Sequence, residues 1–229
     1  GVSVDTIVAR ATPPGRGAVA LVRLSGPGVP GILEALGAGR VLEAPPRQAV
    51  LAPIRWPGPE GELLDRGLVL HFPAPASYTG ETMAEIGLHG GPVVVARVLE
   101  ACRVAGARAA EPGEFTRRSW LNGKLDRLQV EAVEDLVEAE SPALHRVAVH
   151  QVEGGLSRRL ETLRGEVLEL EALLAHHLDF PDEDEPPTPT SVIRARVEGV
   201  RESVGRLLAT APGGRLLREG APVVLAGAP

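Results

Sequence analysis

Near residue 126 the apolar residues of this chain change their spacing, and that change divides what the polypeptide can become. Beyond it, Val149, Val152, Leu156, Leu160, Leu163, Val167, Leu170 and Leu174 recur in steps of three and four. That is the seam of a helix laid on another helix. Ile193, Val197, Val200, Val204 and Leu207 repeat the pattern. Both seams read as bundle core. Ser141-Pro142 supplies a start, a capping hydroxyl followed by proline at the first helical position. Between the two seams, Asp179 to Thr190 combines prolines that break helix with carboxylates that repel, and predicts an extended, solvated connection rather than a cation site.

Before residue 120 the signals are of a different kind. Thr6 to Arg10 and Ala18 to Arg23 are short β-type runs separated by the turn Pro-Pro-Gly-Arg-Gly. Ala49 to Arg55, Leu63 to Phe72 and Met83 to His89 are further strand candidates. Val29 to Leu36 and Pro92 to Ala105 read as helices. A sheet with helices therefore precedes a helical region, which makes the fold class α+β.

The junction is the block Glu111-Pro-Gly-Glu-Phe-Thr-Arg-Arg-Ser-Trp-Leu-Asn-Gly-Lys-Leu-Asp, continuing to Glu140. Phe115, Trp120 and Leu121 suggest an apolar helix face beside a basic Arg117/Arg118 edge. Asn122-Gly123 ends that helix, because both residues tolerate the left-handed cap conformation. Lys124 then lies in a turn between helices, where an ammonium can be aimed at a ligand.

Composition narrows the function classes. The single cysteine excludes an internal disulfide framework and any multi-cysteine metal site. Cys102 falls in the apolar series Val94, Val95, Val98, Leu99 and reads as core. A formal net charge of −6 argues against a general nucleic-acid-binding surface. The sequence shows neither an N-terminal leader nor a long uncharged apolar run, so a cytoplasmic location without a membrane is expected. Gly1 in place of Met suggests a processed or engineered start.

Three side chains stand out for chemistry. Arg23 ends an apolar strand and offers a planar fork for a carboxylate or a polar ring edge; a structural salt bridge is the competing explanation. Glu85 faces away from Ile86 and could accept two parallel N–H bonds, the pattern of an amino-pyrimidinone edge, or could simply be an exposed strand position. Lys124 suits a substrate carboxylate, or water alone. Arg16 and Tyr78 in their turns, and His89 before Gly90-Gly91, are weaker candidates. His176-His177 read as residues of a helix end favoured by its dipole.

The junction block resembles the MnmE (TrmE) family of GTPases that modify the wobble uridine of tRNA. So do Asp5-Thr-Ile-Val-Ala-Arg-Ala-Thr-Pro-Pro-Gly-Arg-Gly-Ala-Val-Ala-Leu-Val-Arg23, Ser77-Tyr-Thr-Gly-Glu81 with Glu85 and His89-Gly-Gly91, and Asp179-Phe-Pro-Asp-Glu183. The resemblance implies an N-terminal tetrahydrofolate-binding and dimerisation domain at 1–121, similar to the folate domain of the aminomethyltransferase. It implies a first part of a helical domain at 122–218. It further implies that 219–229 opens a GTPase domain absent from this sequence: Ala221-Pro-Val-Val-Leu-Ala226 would be its first strand and Gly227 the first glycine of G-x-x-x-x-G-K-S/T. Carried over residue by residue, Arg23, Glu85 and Lys124 match folate-contacting positions.

The implied ligands are 5-formyl-tetrahydrofolate or a related tetrahydrofolate here, with GTP, magnesium and potassium expected only in the absent domain. No catalytic residue and no metal ligand is assigned within the chain. The implied partners are a second copy of the chain, the flavoprotein MnmG and tRNA. Two features depart from the family pattern: Gly87 where a bulkier or polar residue is usual, and Arg127 at an often apolar position. With the closing helices of its bundle missing, the helical part should expose apolar surface. Two rivals remain at this stage. One is a non-catalytic folate-binding and dimerisation module. The other is a stand-alone aminomethyltransferase-like protein, which would be expected to end before Val223.

Overall fold

The computed structural model describes residues 5–179, 188–219, 224 and 227. The chain divides into two compact units, Gly1–Asp126 and Arg127–Pro229. The turn that carries Lys124 therefore belongs to the first.

Unit 1 is built on six strands: β1 (Ile7–Arg10), β2 (Val19–Ser25), β3 (Val50–Arg55), β4 (Leu63–Phe72), β5 (Met83–His89) and β6 (Arg108–Ala109). They form one sheet in the order β3-β4-β5-β2-β1-β6. Every pairing is antiparallel except the short parallel contact of β1 with β6. Pro53 sits mid-strand in β3, which is tolerable because β3 is an edge and its missing N–H interrupts no second ladder.

Alternation along the strands buries one face of the sheet. Val22 and Leu24 of β2, Ile86 and Leu88 of β5, Val69 of β4 and Ile54 of β3 point to that side. They meet Val29, Ile32 and Leu33 of α1 (Val29–Ala35) and Val95, Val98 and Cys102 of α2 (Pro92–Val104) in one core. The Cys102 thiol is fully buried there, and burial pushes its pKa up to about 12, so it is inert filler. The opposite face carries Val19, Leu21, Arg23, Leu51, Leu68, Leu70, Glu85 and Gly87, with Val19 and Leu51 about two-thirds exposed (66% and 65%).

α3 (Glu114–Leu121) closes unit 1 and corrects a reading of the sequence. Its buried side is polar, formed by Glu114, Arg118 and Ser119, while Trp120 and Leu121 are exposed. Arg118 is therefore an interior residue rather than part of a basic edge. The reason is electrostatic: three carboxylates converge on it and satisfy its donors, which apolar neighbours could not do.

Unit 2 is helical: α4 (Arg127–Glu138), α5 (Pro142–Val152), α6 (Gly155–Asp179), α7 (Thr190–Ala209) and α8 (Ala211–Glu219). Ser141 caps α5 by accepting from the Leu144 N–H at 3.1 Å, with Pro142 in the first turn. The seam that reads as one continuous helix is broken after Val152, where Gly154 adopts φ +77° and starts a new axis. The seam is also only partly covered. Leu170 and Ile193 are buried, but Leu160, Val167, Leu174, Val197 and Val204 are 40–49% exposed, so these seam positions stay largely uncovered among the described residues.

Asp179 and Thr190 end α6 and begin α7 rather than belonging to the connection, and Phe180 to Pro187 lie outside the described residues. Of the predicted strand Ala221 to Ala226 only Val224 is described; it is exposed and outside any strand. Among the described residues, no helix is long and apolar enough to cross a membrane.

Candidate functional site

The register of β2 against β5 sets Arg23 directly opposite Glu85. Both side chains rise from the sheet face opposite α1 and α2. Arg23 donates to a single oxygen of Glu85, from Nε at 2.9 Å and from Nη2 at 2.7 Å. The side chains are 29% and 21% exposed, so the pair is reachable by a ligand while held in one geometry. Among the described residues, Arg23 Nη1 and Glu85 Oε2 make no hydrogen bond. The pair therefore presents a donor and an acceptor side by side.

Two rings flank the guanidinium. The centroids of Tyr78 and Phe115 each lie 5.8 Å from Arg23 Cζ, a cation–π arrangement that fixes the plane of the fork. Tyr78 comes from the loop between β4 and β5, and Phe115 from α3. The Tyr78 hydroxyl bonds to Thr116 Oγ1 at 3.0 Å, which links the loop to the helix.

Lys124 reaches the same loop from the turn after α3. Its Nζ donates to the Pro75 carbonyl at 3.2 Å, and its side chain is exposed. Gly80 makes this approach possible: at φ +77°, a Cβ there would stand 3.1 Å from Lys124 Cγ and 3.2 Å from Asn122 Cβ. Arg23 and Glu85 are thus in direct contact, and Lys124 is joined to them through the loop that bears Tyr78.

The weaker candidates separate. Tyr78 belongs to the cluster. Arg16 is exposed in its turn and pairs with no side chain among the described residues. The His89 ring lies against Asp65, Nδ1 to Oδ1 at 2.7 Å, and the His89 backbone N–H donates to Asp65 Oδ2 at 2.8 Å, so it is a satisfied strand-end residue. Gly87, two residues beyond Glu85 on the same face, stands between Leu21 and Leu68 and leaves that row without a central side chain. A Cβ there would touch only Leu68, at 3.5 Å or more. Gly227 is exposed and irregular in unit 2. No group of three His, Cys, Asp or Glu side chains able to hold a metal occurs among the described residues.

Sequence reasoning missed the buried ionic cluster behind the loop. Arg118 donates to Glu81 Oε2 at 3.0 Å, Glu114 Oε1 at 3.1 Å, Asp5 Oδ1 at 2.7 Å and the Asp5 carbonyl at 3.1 Å. Arg108 clasps the two oxygens of Glu114 at 2.9 and 2.5 Å. The available signal was the Glu114/Arg118 spacing of four on one helix face, together with Glu81 in a short loop.

The Arg108 hydrogen bonds, chiefly, hold the Glu114 carboxyl at about 2 against the opposing effect of desolvation; the Glu111 N–H and Arg118 assist. In the unfolded chain the carboxyl would take up its proton near 4.5. The stabilisation, of the order of 3 kcal/mol, is therefore complete above that pH and lost as pH falls toward 2. The expected result is a urea midpoint for unit 1 that drops steeply below pH 4.5, with a flatter acid limb in Glu114→Gln.

Comparison with known proteins follows the two units. The family described as "GTP-binding protein TrmE N-terminus" matches residues 6–124, and the "MnmE helical domain" matches residues 128–222. A tRNA modification GTPase MnmE of Methylibium petroleiphilum is 46% identical over 239 residues, covering 98% of this chain and 50% of the relative. The protein of the same name from Akkermansia muciniphila is 44% identical over 225 residues, with coverage of 98% and 50%. That from Cupriavidus metallidurans is 46% identical over 232 residues, with coverage of 100% and 48%. The chain spans about half the length of the curated relatives it matches.

Proposed function

The chain belongs to the TrmE/MnmE family, and on that premise we propose that unit 1 binds a tetrahydrofolate one-carbon donor for a tRNA modification GTPase. In this reading the intact protein hydrolyses GTP. With the flavoprotein MnmG it adds a carboxymethylaminomethyl-type group at C5 of the wobble uridine. Unit 1 holds the folate and joins two copies of the protein in the cytoplasm; unit 2 is the first part of the helical domain. GTP, magnesium and potassium belong to sequence beyond this chain.

The observation that carries the proposal is the Arg23–Glu85 pair with the Tyr78 and Phe115 rings beside its guanidinium and the exposed ammonium of Lys124 on the adjoining turn. Its donor set fits a folate. Glu85 Oε2 can accept N–H bonds from a pyrimidinone edge, and Arg23 Nη1 can donate to that ring's acceptors. Lys124 offers a point charge for a carboxylate of the glutamate tail. When bound, the folate supplies the one-carbon unit. The chain's own residues would bind and orient it.

Calorimetric titration with 5-formyl-tetrahydrofolate tests this reading. Binding in the micromolar range is expected for the wild-type chain. Arg23→Ala and Glu85→Ala should each weaken it about 10- to 100-fold, the worth of a hydrogen bond to a charged group. Lys124→Ala should cost only a few-fold and lose that effect in high salt, as an exposed charge would. A folded wild-type chain that binds no folate overturns the proposal.

A further inference from the structure

The loop from Ser77 to Thr82 puts Tyr78 against Arg23, and hydrogen bonds from Ser77 Oγ to the Glu81 carbonyl and from the Glu81 N–H to Thr79 Oγ1 shape its turn without tying it to the sheet that bears Arg23. Its placement against β2 comes from what lies behind it. Arg118 of α3 reaches through the protein to Glu81, 3.0 Å from Oε2, and that same oxygen accepts from Ser25 Oγ at 2.7 Å. Ser25 is the residue after next beyond Arg23 on β2, and it also bonds to Thr79 Oγ1 at 2.7 Å. The remaining oxygen of Glu81, Oε1, is buried without a hydrogen-bond partner. Among the described residues Arg118 is thus the one cation on Glu81. The neighbouring residues of α3 hold the loop backbone: Ser119 Oγ donates to the Tyr78 carbonyl at 2.7 Å, and Asn122 Nδ2 to the Thr79 carbonyl at 2.8 Å.

We infer that Arg118 is a positioning residue for ligand binding: by clamping Glu81 it docks α3 on the loop and so fixes Tyr78 and Lys124 around Arg23. This rests on the folate reading above. Arg118 is 5% exposed in its side chain and lies behind the loop, so it acts through Glu81 and Tyr78. A charge of the same sign cannot replace it. The guanidinium meets Glu81 from Nη1 while Nη2 meets Glu114 and Asp5, a division of labour that the compact lysine ammonium cannot reproduce. Binding then has to select the docked loop from a wider set of loop positions, which weakens the apparent affinity.

Arg118→Lys is the test, read in two ways on the same chain. The sequence contains a single tyrosine, so the ring resonances of Tyr78 assign themselves in an NMR spectrum. The variant should move them toward those of a solvent-exposed tyrosine. It should also weaken 5-formyl-tetrahydrofolate binding about tenfold at a temperature where circular dichroism shows the fold intact. A lower melting temperature with unchanged Tyr78 resonances and unchanged affinity would reduce Arg118 to a structural role and overturn the inference. Should Arg118→Lys fail to fold, Asn122→Ala, which removes only the bond to the Thr79 carbonyl, is read by the same two signals. If the wild-type chain binds no folate, the ligand assignment falls, and the Tyr78 resonances alone decide whether α3 positions the loop.

Discussion

Replacing Arg118 by methionine should lower the stability of unit 1 by about 3–5 kcal/mol, the cost of breaking a buried ion pair by removing one partner. Methionine matches the length of the arginine stem, so the loss is electrostatic rather than a cavity. Glu81 and Glu114, 7% and 1% exposed in their side chains, would keep their burial and lose a shared cation. Arg108 still serves Glu114, whereas Glu81 would retain only the Ser25 hydroxyl and one unpartnered oxygen. Equilibrium urea denaturation followed by tryptophan fluorescence measures this, because both chromophores, Trp56 and Trp120, lie in unit 1. An unchanged midpoint would mean that water enters the cluster and solvates both acids. A double variant that also makes Glu81 leucine should recover part of the loss, since an apolar pair of similar volume strands no charge.

The second large effect is expected at Gly26, immediately after the strand that carries Arg23. Gly26 has φ +135°, and a Cβ there would lie 2.5 Å from the Asp5 carbonyl oxygen and 2.7 Å from Thr6 Cα. These are backbone atoms of the segment leading into β1, and they cannot rotate away. Its N–H donates to the Thr82 carbonyl at 2.9 Å, so moving Gly26 also pulls on the end of the Tyr78 loop. Gly26→Ala combines a backbone conformation open essentially to glycine with overpacking, for a loss of about 2–5 kcal/mol. Gly87→Ala is the control. Its Cβ would meet only ordinary contacts, and its midpoint should stay within about 0.5–1 kcal/mol of wild type.

Much of unit 1 can be read from local signals, and the reason is period. β4 and β5 fall on the ranges their alternation predicts, and α2 begins at the proline after Gly90-Gly91. The capping of α5 by Ser141 is equally local. What escapes sequence reasoning is whatever depends on partners distant along the chain. α3 looks amphipathic with its apolar residues inward, yet its interior is set by Asp5 and Glu81, 113 and 37 positions away from Arg118. The two-residue breach at Glu153-Gly154 escapes because a seam in steps of three and four survives a change of helix axis. At the candidate site, Arg23, Glu85 and Lys124 are nameable from residue type and family pattern. The register that joins the first two, and the rings that hold them, come only from the folded sheet.

Cys102 gives unit 1 an internal clock. Its thiol is the chain's one sulfhydryl, wholly enclosed between α2 and the sheet, and its raised pKa leaves almost no thiolate at neutral pH. A thiol reagent can capture it only when α2 lifts from the strands. Under native conditions the slow appearance of labelled protein therefore counts openings of this one core, and the exposed seams of unit 2 contribute nothing to the signal. Ligand added during labelling would slow that count in proportion to how tightly it binds the closed form.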